Sequence, residues 1–151
     1  MTDINYSKRK VIFLDIDGVL ATERTQQIEK RKWYNEKAYP FEPKSIKSLN
    51  QILEKVDTDI VLTSDWRRVF SLVEIDKVFK FNKLEQSPND YSKVLHNRDK
   101  EIRDYVKENK LSKFVIIDDM QLNVYKERFI RTQAEKGLQL YQVKKIVKLL
   151  K

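Results

Sequence analysis

Continuous apolar runs alternate along this chain with segments whose apolar residues recur at helical spacing. Residues 10–15 form the first run, apolar and partly β-branched, which predicts a strand buried on both faces. Ile46, Leu49, Ile52, Leu53 and Val56 then repeat on one helical face, and Pro43 suits a helix start, so a helix over 43–56 is predicted. A second buried strand follows at 59–63 and a helix at 66–79. The stretch 80–95 contains Ser87-Pro-Asn-Asp90 and reads as loop. Ile102, Tyr105 and Val106 predict a helix over 98–109, and Lys113-Phe-Val-Ile-Ile117 a third buried strand. A short strand near 127–132 and a helix over 139–150 complete the pattern, whereas residues 21–42 give no clear reading. Strands alternating with helices predict a three-layer, Rossmann-like α/β fold with a mostly parallel sheet.

Two glycines and three prolines leave no flexible linker, so the 151 residues are read as one domain. Cysteine is absent and histidine occurs once, at His96. Disulfides, a Cys-based zinc site and a three-histidine metal site within one chain are therefore excluded, and a Ser-His-Asp triad is disfavoured. The absence of cysteine is compatible with the cytoplasm. The first ten residues lack an apolar signal core, and no run approaches the length of a membrane span. A net charge of +8 is either a solvated lysine-rich surface or an attraction for a polyanion such as nucleic acid or nucleotide.

Candidate chemistry sits at the strand ends. The first strand runs into Asp15-Ile-Asp17-Gly18, the second into Thr63-Ser64-Asp65, and the third into Asp118-Asp119. In a parallel sheet these ends share one edge, where ligands bind. Carboxylates brought together there repel unless a cation or a shared proton relieves them, and an all-oxygen set suits Mg²⁺. Hydroxyls and backbone N–H groups can hold phosphate oxygens, and a cation near Arg98–Lys100 can offset the charge. Phosphoryl transfer chiefly needs such positioning and positive electrostatics.

Blander readings exist for each feature. Asp-Gly is common turn chemistry, Thr63-Ser64-Asp65 can simply cap a helix, and Asp118-Asp119 can be a turn. Arg67 can pair with a surface acid or reach a phosphate as a planar fork. Trp66 reads as a packing residue, and His96 as a surface or helix-entry residue. The basic-aromatic segment 31–41 either packs a flap onto the core or stacks bases and holds backbone phosphates.

These motifs resemble the haloacid dehalogenase-like (HAD) phosphatase superfamily. The resemblance covers nearly the whole chain and rests on Asp15-Ile-Asp-Gly-Val-Leu20, Ile60-Val-Leu-Thr63 and Ile116-Ile-Asp-Asp119. Thr63-Ser-Asp-Trp-Arg67 and Arg98-Asp-Lys-Glu-Ile102, with Phe129-Ile-Arg-Thr132 and Gly137-Leu138, are similar to the HAD domain of Swiss Army Knife RNA repair proteins. The resemblance implies Asp15 as nucleophile and Mg²⁺ ligand. It implies Asp17 as acid/base, with its backbone carbonyl also on the metal. Thr63, or Ser64, would bind a phosphate oxygen, and Asp118 and Asp119 would hold the metal directly or through water. The family usually places a lysine in its third motif. Here the spacing back from Ile102 favours Arg98, and residue type favours Lys100. The short connections leave no room for a large cap domain, which suits a bulky substrate. The expected activity is a Mg²⁺-dependent phosphomonoesterase acting through a phospho-aspartate, on a nucleic-acid terminal phosphate or a nucleotide. The alternatives are a small-molecule or protein phosphatase, or a phosphate-recognition module with little turnover.

Overall fold

A computed structural model describes residues 5–31 and 39–151, without the side chains of residues 28–31. Five strands form one sheet: β1 (Ser7–Leu14), β2 (Asp59–Leu62), β3 (Asp90–Tyr91), β4 (Leu111–Asp118) and β5 (Phe129–Arg131). Their order is β3-β2-β1-β4-β5, and every pairing is parallel. The helices are α1 (Glu23–Arg31), α2 (Pro43–Lys55), α3 (Leu72–Phe81), α4 (Arg98–Glu108) and α5 (Leu140–Leu150).

The absence of alternation in β1 follows from its central place. Ile12 and Leu14 face one core with Leu49 and Ile52 of α2, Ile75 and Phe79 of α3, and Ile146 of α5. Val11 and Phe13 face a second core with Ile102, Tyr105 and Val106 of α4. Both faces of the strand are thus removed from water, so each of its last four residues is apolar. The layers are helix, sheet and helix.

Three local features differ from the sequence pattern. The helix expected over 66–79 is divided: a 3-10 turn at Asp65–Arg68 is followed by α3, which begins only after Ser71. Ser71 and Glu74 form a reciprocal capping box, which starts a new helix there. The stretch expected as loop at 80–95 contains the two-residue β3, stitched to β2 by Asn89 N–H to the Ile60 carbonyl and Ser92 N–H to the Leu62 carbonyl. Helix α1 lies in the stretch that gave no clear reading. In the basic-aromatic segment Tyr39 packs edge-on against Trp66 and Phe70, and Phe41 edge-on against Phe79 and tilted against Trp66, the packing alternative for those two rings. The side chains of residues 31–38 lie outside the described residues.

Candidate active site

Sheet register brings the strand ends together. Leu14 of β1 lies opposite Leu62 of β2 and Ile117 of β4. The next residues, Asp15, Thr63 and Asp118, therefore stand abreast on the C-terminal rim. Asp15 N–H donates to the Ile117 carbonyl at 3.1 Å, and Thr63 N–H to the Leu14 carbonyl at 3.0 Å.

Asp15, Asp118 and Asp119 each present a carboxylate oxygen within 4.8 Å of the others. Asp118 is fully buried, and Asp15 is nearly so. Burial, then the charge of Asp118, pushes Asp15 well above the usual carboxylate range, against the pull of Arg98. Burial likewise raises Asp118, opposed by Arg98 and by the Met120 N–H that donates to it. Three crowded acids, two of them buried, that offer only oxygen donors fit a hard divalent cation. The Asp17 side chain is outside this trio.

Gly18 makes the crowding possible. Its φ is +82°, and a Cβ there would overlap the Asp119 carboxyl group. The Gly18 carbonyl accepts the Thr132 hydroxyl at 2.7 Å, which pins the loop after β1 to the segment after β5.

Asp17 is exposed and held from the side. Its Oδ1 accepts the Trp66 indole N–H at 3.1 Å. Burial of its carboxyl, then the charges of Asp119 and Asp65, raises Asp17, while the Trp66 bond lowers it, and the net direction is upward. Trp66 does pack, among Tyr39, Phe41 and Phe70. It also positions Asp17, a role the sequence reading missed.

The third-motif alternatives separate clearly. Arg98 is the first residue of α4, whose start is capped by the Asn97 side chain. Its guanidinium lies 2.7 Å from Asp118 and 3.7 Å from Asp15. It also lies 3.7 Å from Asp65 and 3.6 Å from Glu101. Burial acts to lower the Arg98 pKa, but Asp15 and Asp118 outweigh it and hold the cation charged. Lys100, rotated by roughly 200° around the helix, pairs with Asp104 at 2.7 Å on the solvent face. It does not reach the carboxylates.

Arg67 is a correction. Its side chain is 1% exposed, so neither the surface pair nor the phosphate fork describes it. It donates to the carbonyls of Ser64, Ser92 and Lys93, to the Ser92 hydroxyl and to Glu101. Glu101 in turn accepts Leu95 N–H at 2.7 Å. The pair thereby clamps the loops after β2 and β3 to the helix that carries Arg98. The i, i+3 spacing of Arg98 and Glu101 was the available signal for Glu101.

Ser64 accepts Trp66 N–H and caps the 3-10 turn. Thr63 differs: its hydroxyl is fully buried and has no hydrogen-bond partner among the described residues. A native fold seldom leaves such a group unmet unless something outside the chain completes it.

Residues 11–143 match the family described as the HAD domain in Swiss Army Knife RNA repair proteins. The chain belongs to this HAD family. No curated protein and no solved structure gives a significant match. Membership supports a phosphatase or related hydrolase activity. HAD proteins generally use a divalent metal, and the Asp15–Asp118–Asp119 cluster of this HAD domain fits one. Among the described residues, no helix is long and apolar enough to cross a membrane.

Proposed function

We propose that this HAD domain is a Mg²⁺-dependent phosphomonoesterase that works through a phospho-aspartate at Asp15. The observation that carries this reading is the meeting of Asp15, Asp118 and Asp119 at one rim, beside the buried cation Arg98. Asp15, Asp118 and Asp119 would hold the metal, with the Asp17 backbone carbonyl as the further ligand that the family resemblance implies. When bound, Mg²⁺ supplies positive charge that offsets the carboxylates and the phosphoryl oxygens.

The chain's own groups divide the chemistry. An Asp15 carboxylate oxygen attacks phosphorus, and the bond from phosphorus to the leaving oxygen breaks. Asp17 gives its proton to that oxygen. Burial raises its pKa, which favours the protonated form relative to a solvated carboxyl group. Asp17 then takes a proton from water as the water oxygen attacks the acyl phosphate, which releases inorganic phosphate and restores Asp15. The Thr63 hydroxyl and Arg98 hold phosphoryl oxygens. Ser64 and Lys100 are engaged elsewhere and carry no role in this scheme. The connection from β2 to β4 is filled by α3, β3 and α4 and holds no large cap domain, which suits a bulky substrate. With the +8 net charge and a family described from RNA repair proteins, the substrate is a nucleic-acid terminal phosphate or a nucleotide.

The test compares wild type with Asp15→Asn and Asp17→Asn on p-nitrophenyl phosphate and on 3′- and 5′-phosphorylated oligonucleotides, with and without Mg²⁺. Both substitutions should reduce turnover by at least about 10³-fold, in line with loss of an essential catalytic group. Undiminished turnover in Asp15→Asn overturns the reading. Phosphate binding without turnover in wild type would indicate a recognition module instead.

A further inference from the structure

Beside the carboxylate rim lies a cavity of 260 Å³, between the 3-10 turn after β2 and the segment leading into α4. Asp65 and Arg98 border it, and Arg98 also lies against Asp15 and Asp118, so the cavity adjoins the carboxylate cluster through that side chain. Its outer wall carries Arg68 and His96, both exposed. Neither side chain has a hydrogen-bond or ion-pair partner among the described residues. Arg67 is committed to Glu101 and Ser92, and Arg98 stands at the phosphoryl seat beside Asp15 and Asp118. Val94 and Met120 add exposed apolar surface at 39% and 47% of their full areas. The acids that face the cavity are already paired, Asp65 and Glu101 with Arg98 and Glu101 also with Arg67.

We propose that this cavity is the subsite for the nucleotide next to the scissile phosphate, with Arg68 taking the following phosphodiester. The proposal rests on the phosphatase reading above and names its substrate as a nucleic-acid strand end. Three features support it. An unpaired guanidinium beyond the phosphoryl seat can take a second anion, and a strand end always carries one, the next phosphodiester, one nucleotide away. The imidazole of His96, with Val94 and Met120, offers stacking and apolar faces to a base. The +8 charge of the chain favours approach of a polyanion.

The experiment measures kcat/KM on p-nitrophenyl phosphate, on 3′- and 5′-mononucleotides, on dinucleotides carrying the same terminal phosphates, and on a phosphopeptide. Each is measured over a range of salt. Wild type is compared with Arg68→Ala and with Lys144→Ala, which removes one charge from the exposed face of α5. The expected result is a preference of at least about tenfold for one dinucleotide over its mononucleotide. Arg68→Ala should erase that preference and weaken the salt dependence of dinucleotide turnover, since one charge contact is lost. Lys144→Ala should keep both. Equal use of mononucleotide and dinucleotide, an equal effect of the two substitutions, or a preference for the phosphopeptide overturns the subsite. Asp15-dependent hydrolysis of p-nitrophenyl phosphate would leave the phosphatase reading standing in that event. Loss of all turnover removes both.

Discussion

The Trp66 indole N–H donates to Asp17 Oδ1 at 3.1 Å, and thereby ties the proposed acid/base to the aromatic cluster over α2 and α3. A rigid ring thus fixes a carboxyl group that is otherwise open to solvent. The bond favours the charged form of Asp17 and opposes the upward pull of burial. Trp66→Phe keeps most of the aromatic area and removes the donor. It should lower kcat by up to about 10²-fold, the loss that a misplacement of about 1 Å can cause. Because the lost bond held the Asp17 pKa down, the limb of the pH–rate profile that reports Asp17 should move to higher pH. A profile on p-nitrophenyl phosphate checks both, and a parallel thermal scan separates them from loss of fold.

Arg67 and Glu101 form a dry pair whose side chains are 1% and 3% exposed. Removing one partner strands the other charge in the interior, a loss of about 3–5 kcal/mol. Arg67→Ala should therefore shift the urea midpoint strongly downward. Glu101→Gln retains hydrogen bonding and should shift it less. An Arg67→Ala midpoint within error of wild type would show that the clamp carries no stability.

Gly18 faces the Asp119 carboxyl group at positive φ. Gly18→Ala faces both the left-handed backbone penalty of about 1–2 kcal/mol and an overlap that must displace Asp119. The variant should melt lower and bind Mg²⁺ about tenfold or more weakly, as displaced support of a ligand does. Calorimetric titration with Mg²⁺ reads the second effect directly.

Metal-free stability should depend on pH in an unusual direction. Burial, then Asp118, raises Asp15 above its ordinary value of 3.8, and burial raises Asp118 too. Between that ordinary value and the raised folded values, the folded protein holds more protons than the unfolded chain. Stability contributed by the pair is therefore greatest at low pH and falls as pH rises through this window. Metal-free protein should melt higher near the acid end of the window than at neutral pH. Asp15→Asn should flatten the slope and raise metal-free stability at neutral pH by about 1 kcal/mol, as removal of a strained functional charge often does. Mg²⁺ should reverse the trend, since a cation competes with protons for the same carboxylates and stabilises by mass action.

The legible parts of this protein are those in which one short segment carries both fold and chemistry. In β1 and β4 the apolar run fixes a doubly buried strand, and the acids follow without a gap, so Asp15 and Asp118 had to share a rim once the sheet was parallel. The division at Ser71 was hidden because Trp66, Val69, Phe70 and Val73 continue a helical pattern across it. Strand β3 is two residues long, too short for any periodicity. The Arg67–Glu101 pair joins residues 34 apart in the chain, and its burial follows from tertiary packing. Which of Arg98 and Lys100 lies beside the acids depends on the face of α4 that meets the sheet edge: packing puts Arg98 against Asp118 and Lys100 against Asp104.

The central claim is that the Asp15 carboxylate becomes phosphorylated, and reductive trapping of the acyl phosphate reads it most directly. Enzyme mixed with substrate and Mg²⁺, quenched with borohydride and digested, should yield homoserine in place of aspartate at position 15. Asp17→Asn, slowed in breaking the acyl phosphate down, should retain a measurable fraction of the same product. Turnover with aspartate intact at position 15, or with the modification at Asp118 or Asp119 instead, would contradict the account.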